Sequence, residues 1–327
     1  MKIFFYAFRP FDELPAAEKC AEEYGFAFDW SEEYPTLGNL ERVKGCDAIS
    51  CTPCEMSEPY IRTMHEFGVR YLCTRSIGYD HIDLDACRKY GIRVSNVSYP
   101  PEGVADYTIL CILMCERKIK EILNRCEIQD YSLKGKLGRD ISRLTIGIIG
   151  TGKIGTTLMK HLSGFGCRML AYDVFENEEA KQYGTYCSLS ELFQNSDVIT
   201  VHANATEENH HLLNDDAFAL MKDHVTIINT SRGKLIDTKA LIRALKSGKI
   251  GACALDVLED ENGLYYYNLS GQVIDHSDLS ELRSFPNVLV LPHTAFYTET
   301  NVEEMVRSIF DAVDAFEKDR PSSHIIL

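Results

Sequence analysis

The chain reads as an α/β protein of two doubly wound parallel sheets, and three patterns point there. Short apolar runs alternate with amphipathic segments along most of its 327 residues. Several amphipathic segments close on glycine, and the apolar runs lack a polar face, as strands buried on both sides should. A proline pair at 100–101 splits the series in two, restricting the backbone before it as a hinge would.

The first series holds the strands KIFFYAF (2–8), DAISC (47–51), VRYLCTR (69–75) and IRVSNV (92–97). Between them lie the helices AAEKCAEEYG (16–25), PYIRTMHEFG (59–68) and IDLDACRKYG (82–91). It contains no glycine-rich phosphate loop. After the prolines a long helix is expected over about 102–120. Six strands follow: LTIGIIG (144–150), RMLAYD (168–173), DVITVHA (197–203), VTIINTS (225–231), ACALDVL (252–258) and NVLVLPH (287–293). Residues 259–284 form a polar, tyrosine-containing excursion. A final helix over about 299–318 places Met305, Val306, Ile309, Phe310, Val313 and Phe316 on one face.

Composition narrows the function classes. Hydrophobic residues make up 45% and charged residues 25%, ordinary for a soluble globular protein. A net charge of −15 repels phosphate backbones, so no nucleic-acid partner is expected. The first apolar run is too short for a signal peptide, and TILCILMC (108–115) falls far below the roughly 20 residues that span a bilayer. A cytoplasmic protein without a membrane partner is expected. The twelve cysteines are scattered through apolar segments and read as reduced thiols. CTPC (51–54) has no second CxxC or histidine pair beside it, so its role is read as structural, and no metal is expected.

Chemistry concentrates in the second series. GIIGTGKIG (147–155) carries Gly150-x-Gly152-x-x-Gly155 after a strand and at a helix start, the context this motif requires. Gly150 permits the tight turn, Gly152 lets backbone approach a pyrophosphate, and Gly155 lets helix and sheet close. Asp173 ends the next strand, where a carboxylate accepts a ribose diol and repels a 2′-phosphate, which favours NAD over NADP. Three further strand ends carry polar residues: Arg232 in INTSRG, Asp256 and Glu261 in ALDVLEDE, and His293 in PHTAFYT. Ligands of open α/β sheets bind beyond these carboxyl ends. Taken singly, each residue has a duller reading as a salt-bridge partner, a solvated acid or a satisfied core histidine.

Together, GTGKIG, NTSRG, DVLEDE and PHTAFYT, with RSIGYDHID and YPPEGVADYT earlier, resemble the D-2-hydroxyacid dehydrogenase family along essentially the whole chain. The nearest branch is its D-lactate dehydrogenases, including the vancomycin-resistance type. The resemblance implies a Rossmann cofactor domain (100–298) inserted into a flavodoxin-like substrate domain (1–99 and 299–327). It also implies NAD as cofactor, a small 2-oxo or 2-hydroxy acid as substrate, and a homodimer. Arg232 would grip carboxylate and carbonyl oxygen with its planar fork. His293 would donate the proton, and Glu261 would hold the far ring nitrogen. Backbone N–H groups of Ile77 and Gly78 would bind the carboxylate, with Tyr99, Phe296 and Tyr297 around the side chain. Lys153, Ile154, Asp173, Ala203, Asn204, Asn209, Thr230, Ser231, Arg232 and Asp256 would join the three glycines at the cofactor, with Asp256 on the nicotinamide carboxamide. Asn204 departs from the proline usual at its position, which leaves the adenine-side loop open. Pyruvate reduction to D-lactate is the leading expectation. Larger 2-oxo acids (2-oxoisocaproate, phenylpyruvate, 2-oxoglutarate) come second, and a dinucleotide-sensing corepressor-like binding protein third.

Overall fold

The computed structural model describes residues 1–261 and 263–327. The chain packs as two units, Met1–Pro100 with Tyr297–Leu327, and Pro101–Phe296. The first is built on β1 (Lys2–Phe5), β2 (Ala27–Trp30), β3 (Ala48–Cys51), β4 (Tyr71–Thr74) and β5 (Arg93–Ser95). All run parallel in the order β2-β1-β3-β4-β5. β3 and β4 are buried at every position. β2 is an edge strand with no buried residue, which is why no apolar run announced it.

The last helix, Glu299–Glu317, closes this unit. Val306, Ile309, Phe310 and Val313 have no accessible surface, and Phe316 stacks on Tyr71 of β4 with ring centroids 4.9 Å apart. Thr298 caps its N-terminus by accepting the Asn301 N–H. The tail then returns to β5, where Ile326 donates to the Val94 carbonyl at 2.9 Å and Val94 donates to that of Leu327 at 3.0 Å.

Arg75 locks the carboxyl ends of these strands. Its guanidinium has no exposure and pairs with the equally buried Glu13 at 3.1 Å. It also donates to the carbonyls of Tyr6 (2.7 Å) and Ala7 (2.8 Å) and to Ser50 Oγ (3.1 Å). One cation thus ties β1, β3 and the start of the loop that carries Ile77 and Gly78.

The second unit holds β6 (Thr145–Ile149), β7 (Arg168–Tyr172), β8 (Thr185–Tyr186), β9 (Val198–Val201), β10 (Val225–Asn229), β11 (Ile250–Leu255) and β12 (Val288–Val290). The order β12-β11-β10-β9-β6-β7-β8 is parallel throughout. Chain direction across the sheet reverses at β6, whose neighbours are β7 and β9, so a crevice opens beyond their carboxyl ends. Seven strands replace the six expected, because β8 is a two-residue edge strand too short to show a pattern.

The helix expected over 102–120 is two, Glu102–Glu116 and Ile119–Glu127. Lys118 between them takes a left-handed backbone (φ 52°), while buried Glu116 is held by Arg139 (2.6 Å) and Thr226 (2.7 Å). The excursion 259–284 ends in a helix, Ser277–Ser284. All twelve cysteines are free thiols. Burial pushes the Cys73 and Cys111 thiols up to about 12, which keeps them un-ionised and inert. Among the described residues no helix is long and apolar enough to cross a membrane.

Removing Glu13 strands a buried guanidinium. Glu13→Ala should lower the stability of the first unit by about 3–5 kcal/mol, measured as a shifted urea midpoint; a shift within error removes Arg75 from this role.

Candidate active site

The glycine turn follows β6 and is shaped by close approach. Gly150 is left-handed (φ 93°), and a Cβ there would lie 2.6 Å from the His202 carbonyl carbon. A Cβ on Gly155 would lie 2.0 Å from the Gly150 oxygen. Gly152 differs: nothing lies within 4 Å of its Cβ position, and it is the N-cap of the helix Lys153–Ser163. Gly152 and Lys153 are exposed and Ile154 partly so. The helix N-terminus with its outward N–H groups is therefore open to an anion. Asp173 accepts the Thr151 N–H at 2.5 Å and its hydroxyl at 3.1 Å through one oxygen. Its other oxygen has only the Phe175 N–H at 3.3 Å. An open helix start beside a half-engaged carboxylate fits a dinucleotide.

The neighbouring loop is braced from within. Asn209 donates to the Asn204 carbonyl at 2.7 Å and accepts the Thr206 N–H at 2.8 Å, so the segment holds its turn without the expected proline. Ala203 is partly exposed. Thr230 is nearly buried, its hydroxyl 2.9 Å from that of Thr108. The Ser231 N–H (3.0 Å) and hydroxyl (2.9 Å) both donate to the Asn229 side chain.

Arg232 follows β10, and Gly233 explains how closely its turn sits. A Cβ on Gly233 would fall 2.1 Å from the Leu258 carbonyl, so only glycine lets this turn press against the backbone leading to Glu261. The Leu258 N–H in turn donates to Glu261 at 3.1 Å. Glu261 Oε1 lies 2.7 Å from His293 Nδ1. Both side chains are about a quarter exposed. With Nδ1 engaged, Nε2 is the ring nitrogen left for exchange with a ligand.

Asp256 follows β11 at once and is fully enclosed. It has no accessible surface, and its two oxygens accept the N–H groups of Thr294 (2.9 Å) and Ala295 (2.8 Å). Its carbonyl accepts the His293 N–H at 2.8 Å. Burial raises its carboxyl pKa, opposed by those donated N–H bonds. Asp256 therefore lies beneath the histidine turn and braces His293 in its left-handed backbone (φ 55°).

In the first unit the Ile77 carbonyl accepts from Asn96 at 2.8 Å and that of Gly78 from Ser76 Oγ at 2.6 Å. Both loop carbonyls are thereby anchored. Tyr99 is partly exposed. Tyr297 donates to Asp12 at 2.5 Å beneath the Arg9 guanidinium, 5.5 Å from its ring centroid. In the second unit Phe296 lies edge-on to the His293 ring at 6.3 Å.

Within the tyrosine-containing excursion, the Tyr266 hydroxyl donates to the His293 carbonyl at 3.0 Å. His210, His211 and Glu259 offer three ligand atoms within 4.8 Å of one another. Glu259, however, is engaged by His211 (2.6 Å) and by the Thr238 N–H and hydroxyl, a bridge that accounts for the group without an ion.

The family model for the NAD-binding domain of D-isomer specific 2-hydroxyacid dehydrogenases matches residues 109–295. An aromatic 2-oxoacid reductase of Clostridium sporogenes is 40% identical over 322 residues, 97% of this chain and 96% of that protein. A D-lactate dehydrogenase of Escherichia coli K12 is 35% identical over 321 residues, 97% of each. Among solved structures, a D-lactate dehydrogenase from Treponema pallidum superposes with a TM-score of 0.89 at 32% identity, covering the whole of both chains.

His202 beneath the glycine turn has its ring 2.9 Å from Thr200 Oγ1, and desolvation lowers its pKa to about 4. As pH falls, the unfolded chain takes up this proton first, near 6.5. The associated stability is therefore intact above about 6.5 and is lost between there and 4, on the order of 3 kcal/mol. His202→Asn should flatten urea-denaturation stability across this window; an unchanged slope refutes the assignment.

Proposed function

We propose that this chain, which belongs to the D-isomer specific 2-hydroxyacid dehydrogenase family, reduces pyruvate to D-lactate with NADH. Aromatic 2-oxo acids are a second substrate class. The observation that carries the reading is the 2.7 Å bond between Glu261 and His293 Nδ1 on a turn whose three consecutive N–H groups are held by Asp256. NADH, when bound, supplies the hydride. Its pyrophosphate fits the helix start at Gly152, with Lys153 and Ile154 beside it, and its ribose diol fits the freer oxygen of Asp173.

Each side chain has a matching task. Arg232 fixes the substrate carboxylate and carbonyl oxygen with two parallel N–H bonds. His293 Nε2 gives its proton to the alkoxide as it forms, and takes one back in the reverse direction. Glu261 accepts the Nδ1–H and so fixes the ring's orientation; Nε2 carries the second proton of the imidazolium in the reduction and is the bare, proton-accepting nitrogen in the reverse direction. In the first unit we assign the N–H groups of Ile77 and Gly78 as carboxylate donors and Tyr99 and Tyr297 as side-chain contacts. Ala203, Asn209, Thr230 and Ser231 support the cofactor side mainly by shaping loops.

The aromatic reading is supported by the 40% identity to the clostridial aromatic 2-oxoacid reductase and by Phe296 beside the imidazole. A homodimer through the cofactor domain is supported by Leu110, Leu123, Ile128, Tyr131, Leu133 and Leu137. All six are exposed within one sequence stretch of that domain, and exposed apolar groups of this kind mark interaction surfaces when they gather into one patch. Twelve free thiols suit a reducing cytoplasm.

NADH oxidation, followed by absorbance with pyruvate and phenylpyruvate, tests the activity; no oxidation with either acid overturns it. Arg232→Ala should raise KM for the oxo acid sharply while NADH binding, followed by fluorescence titration, survives; an equal loss of NADH binding counts against the role. His293→Asn should lower kcat about 10²–10⁴-fold; a variant with wild-type kcat removes His293 from proton transfer. Asp173→Ser should raise NADPH use relative to NADH, and an unmoved preference refutes the ribose contact.

A further inference from the structure

Within the run Tyr265–Tyr266–Tyr267 only the middle residue takes a left-handed backbone (φ 71°). A bulky residue adopts this conformation at a cost, and such positions cluster at functional sites. Tyr265 is turned inward and nearly buried, whereas Tyr266 remains half exposed. Its hydroxyl is anchored on the His293 carbonyl, and His293 is itself left-handed (φ 55°).

The rings form a corner. The Tyr266 ring centre is 6.1 Å from the imidazole at an interplanar angle of 39°. Phe296 is edge-on to both, 6.4 Å and 83° from Tyr266, 6.3 Å and 82° from His293. The two Phe296 contacts lie in the favourable edge-to-face range. The hydroxyl anchor fixes the aromatic face while leaving its surface open to be desolvated by a ligand.

We infer that Tyr266 is a specificity-determining residue, its ring forming with Phe296 an aromatic wall for the side chain of 2-oxo acids larger than pyruvate. This rests on His293 as proton donor. The methyl group of pyruvate is too short to gain from such a wall; a phenyl group gains apolar and edge-to-face contact.

The test compares kcat/KM for phenylpyruvate and pyruvate in wild type, Tyr266→Ala, Tyr266→Leu and Tyr266→Phe. The ratio of phenylpyruvate to pyruvate efficiency should fall about tenfold in the alanine variant. It should fall less in leucine, which keeps bulk without a ring, and hold in phenylalanine. The phenylalanine variant, lacking the anchor, should lower kcat a few-fold for both acids alike. An unchanged ratio in active alanine and leucine variants overturns the wall while leaving the dehydrogenase reading standing. A wild-type enzyme inert towards both acids overturns both.

Discussion

A carboxylate and an imidazole 2.7 Å apart set the terms for the rest of the second unit. Glu261 and His293 come from different strand ends, 32 residues apart in sequence. Their meeting depends on two supports. Gly233 lets the Arg232 turn lie against the backbone at Leu258, and the Leu258 N–H bonds the glutamate. Asp256 gathers the N–H groups of residues 293–295, so the histidine is offered on a strained turn that has little freedom to relax. A ring held this way would need little reorganisation in the proton transfer proposed for it, which is how preorganised sites gain rate.

Much of this was legible in the sequence, because the informative signals were local. Apolar runs such as VITV (198–201), buried at every position, mark parallel strands, and glycines at fixed offsets mark the cofactor turn. Where the signal was weak, the reading failed for identifiable reasons. β2 and β8 are edge strands with little burial, so no hydrophobic period records them. The break at Lys118 comes two residues after Glu116, which pairs with Arg139 from outside the helix, a tertiary contact that helix propensity cannot register.

The site shows the same division. Arg232, Glu261 and His293 stand out as candidates because each follows an apolar strand in a recognisable motif, and the structure brings Glu261 and His293 together. What sequence could not supply was direction. Asp256 stands at a strand end like the others, yet its oxygens point beneath the histidine turn. Three consecutive tyrosines look equivalent as letters, and it takes the left-handed backbone at Tyr266 with its hydroxyl bond to the His293 carbonyl to tell that ring, beside the imidazole, from its neighbours.

The way the first unit is closed bears on biogenesis. Its sheet is finished on one face by Glu299–Glu317 and at β5 by the last residues of the chain, although its strands leave the ribosome first. During synthesis the N-terminal hundred residues must wait with Tyr71 and Phe5 uncovered, while the intervening unit, continuous in sequence, is free to fold. For that interval the nascent chain carries open β-sheet edges and a bare apolar face, a natural client for a chaperone that shields hydrophobic surface.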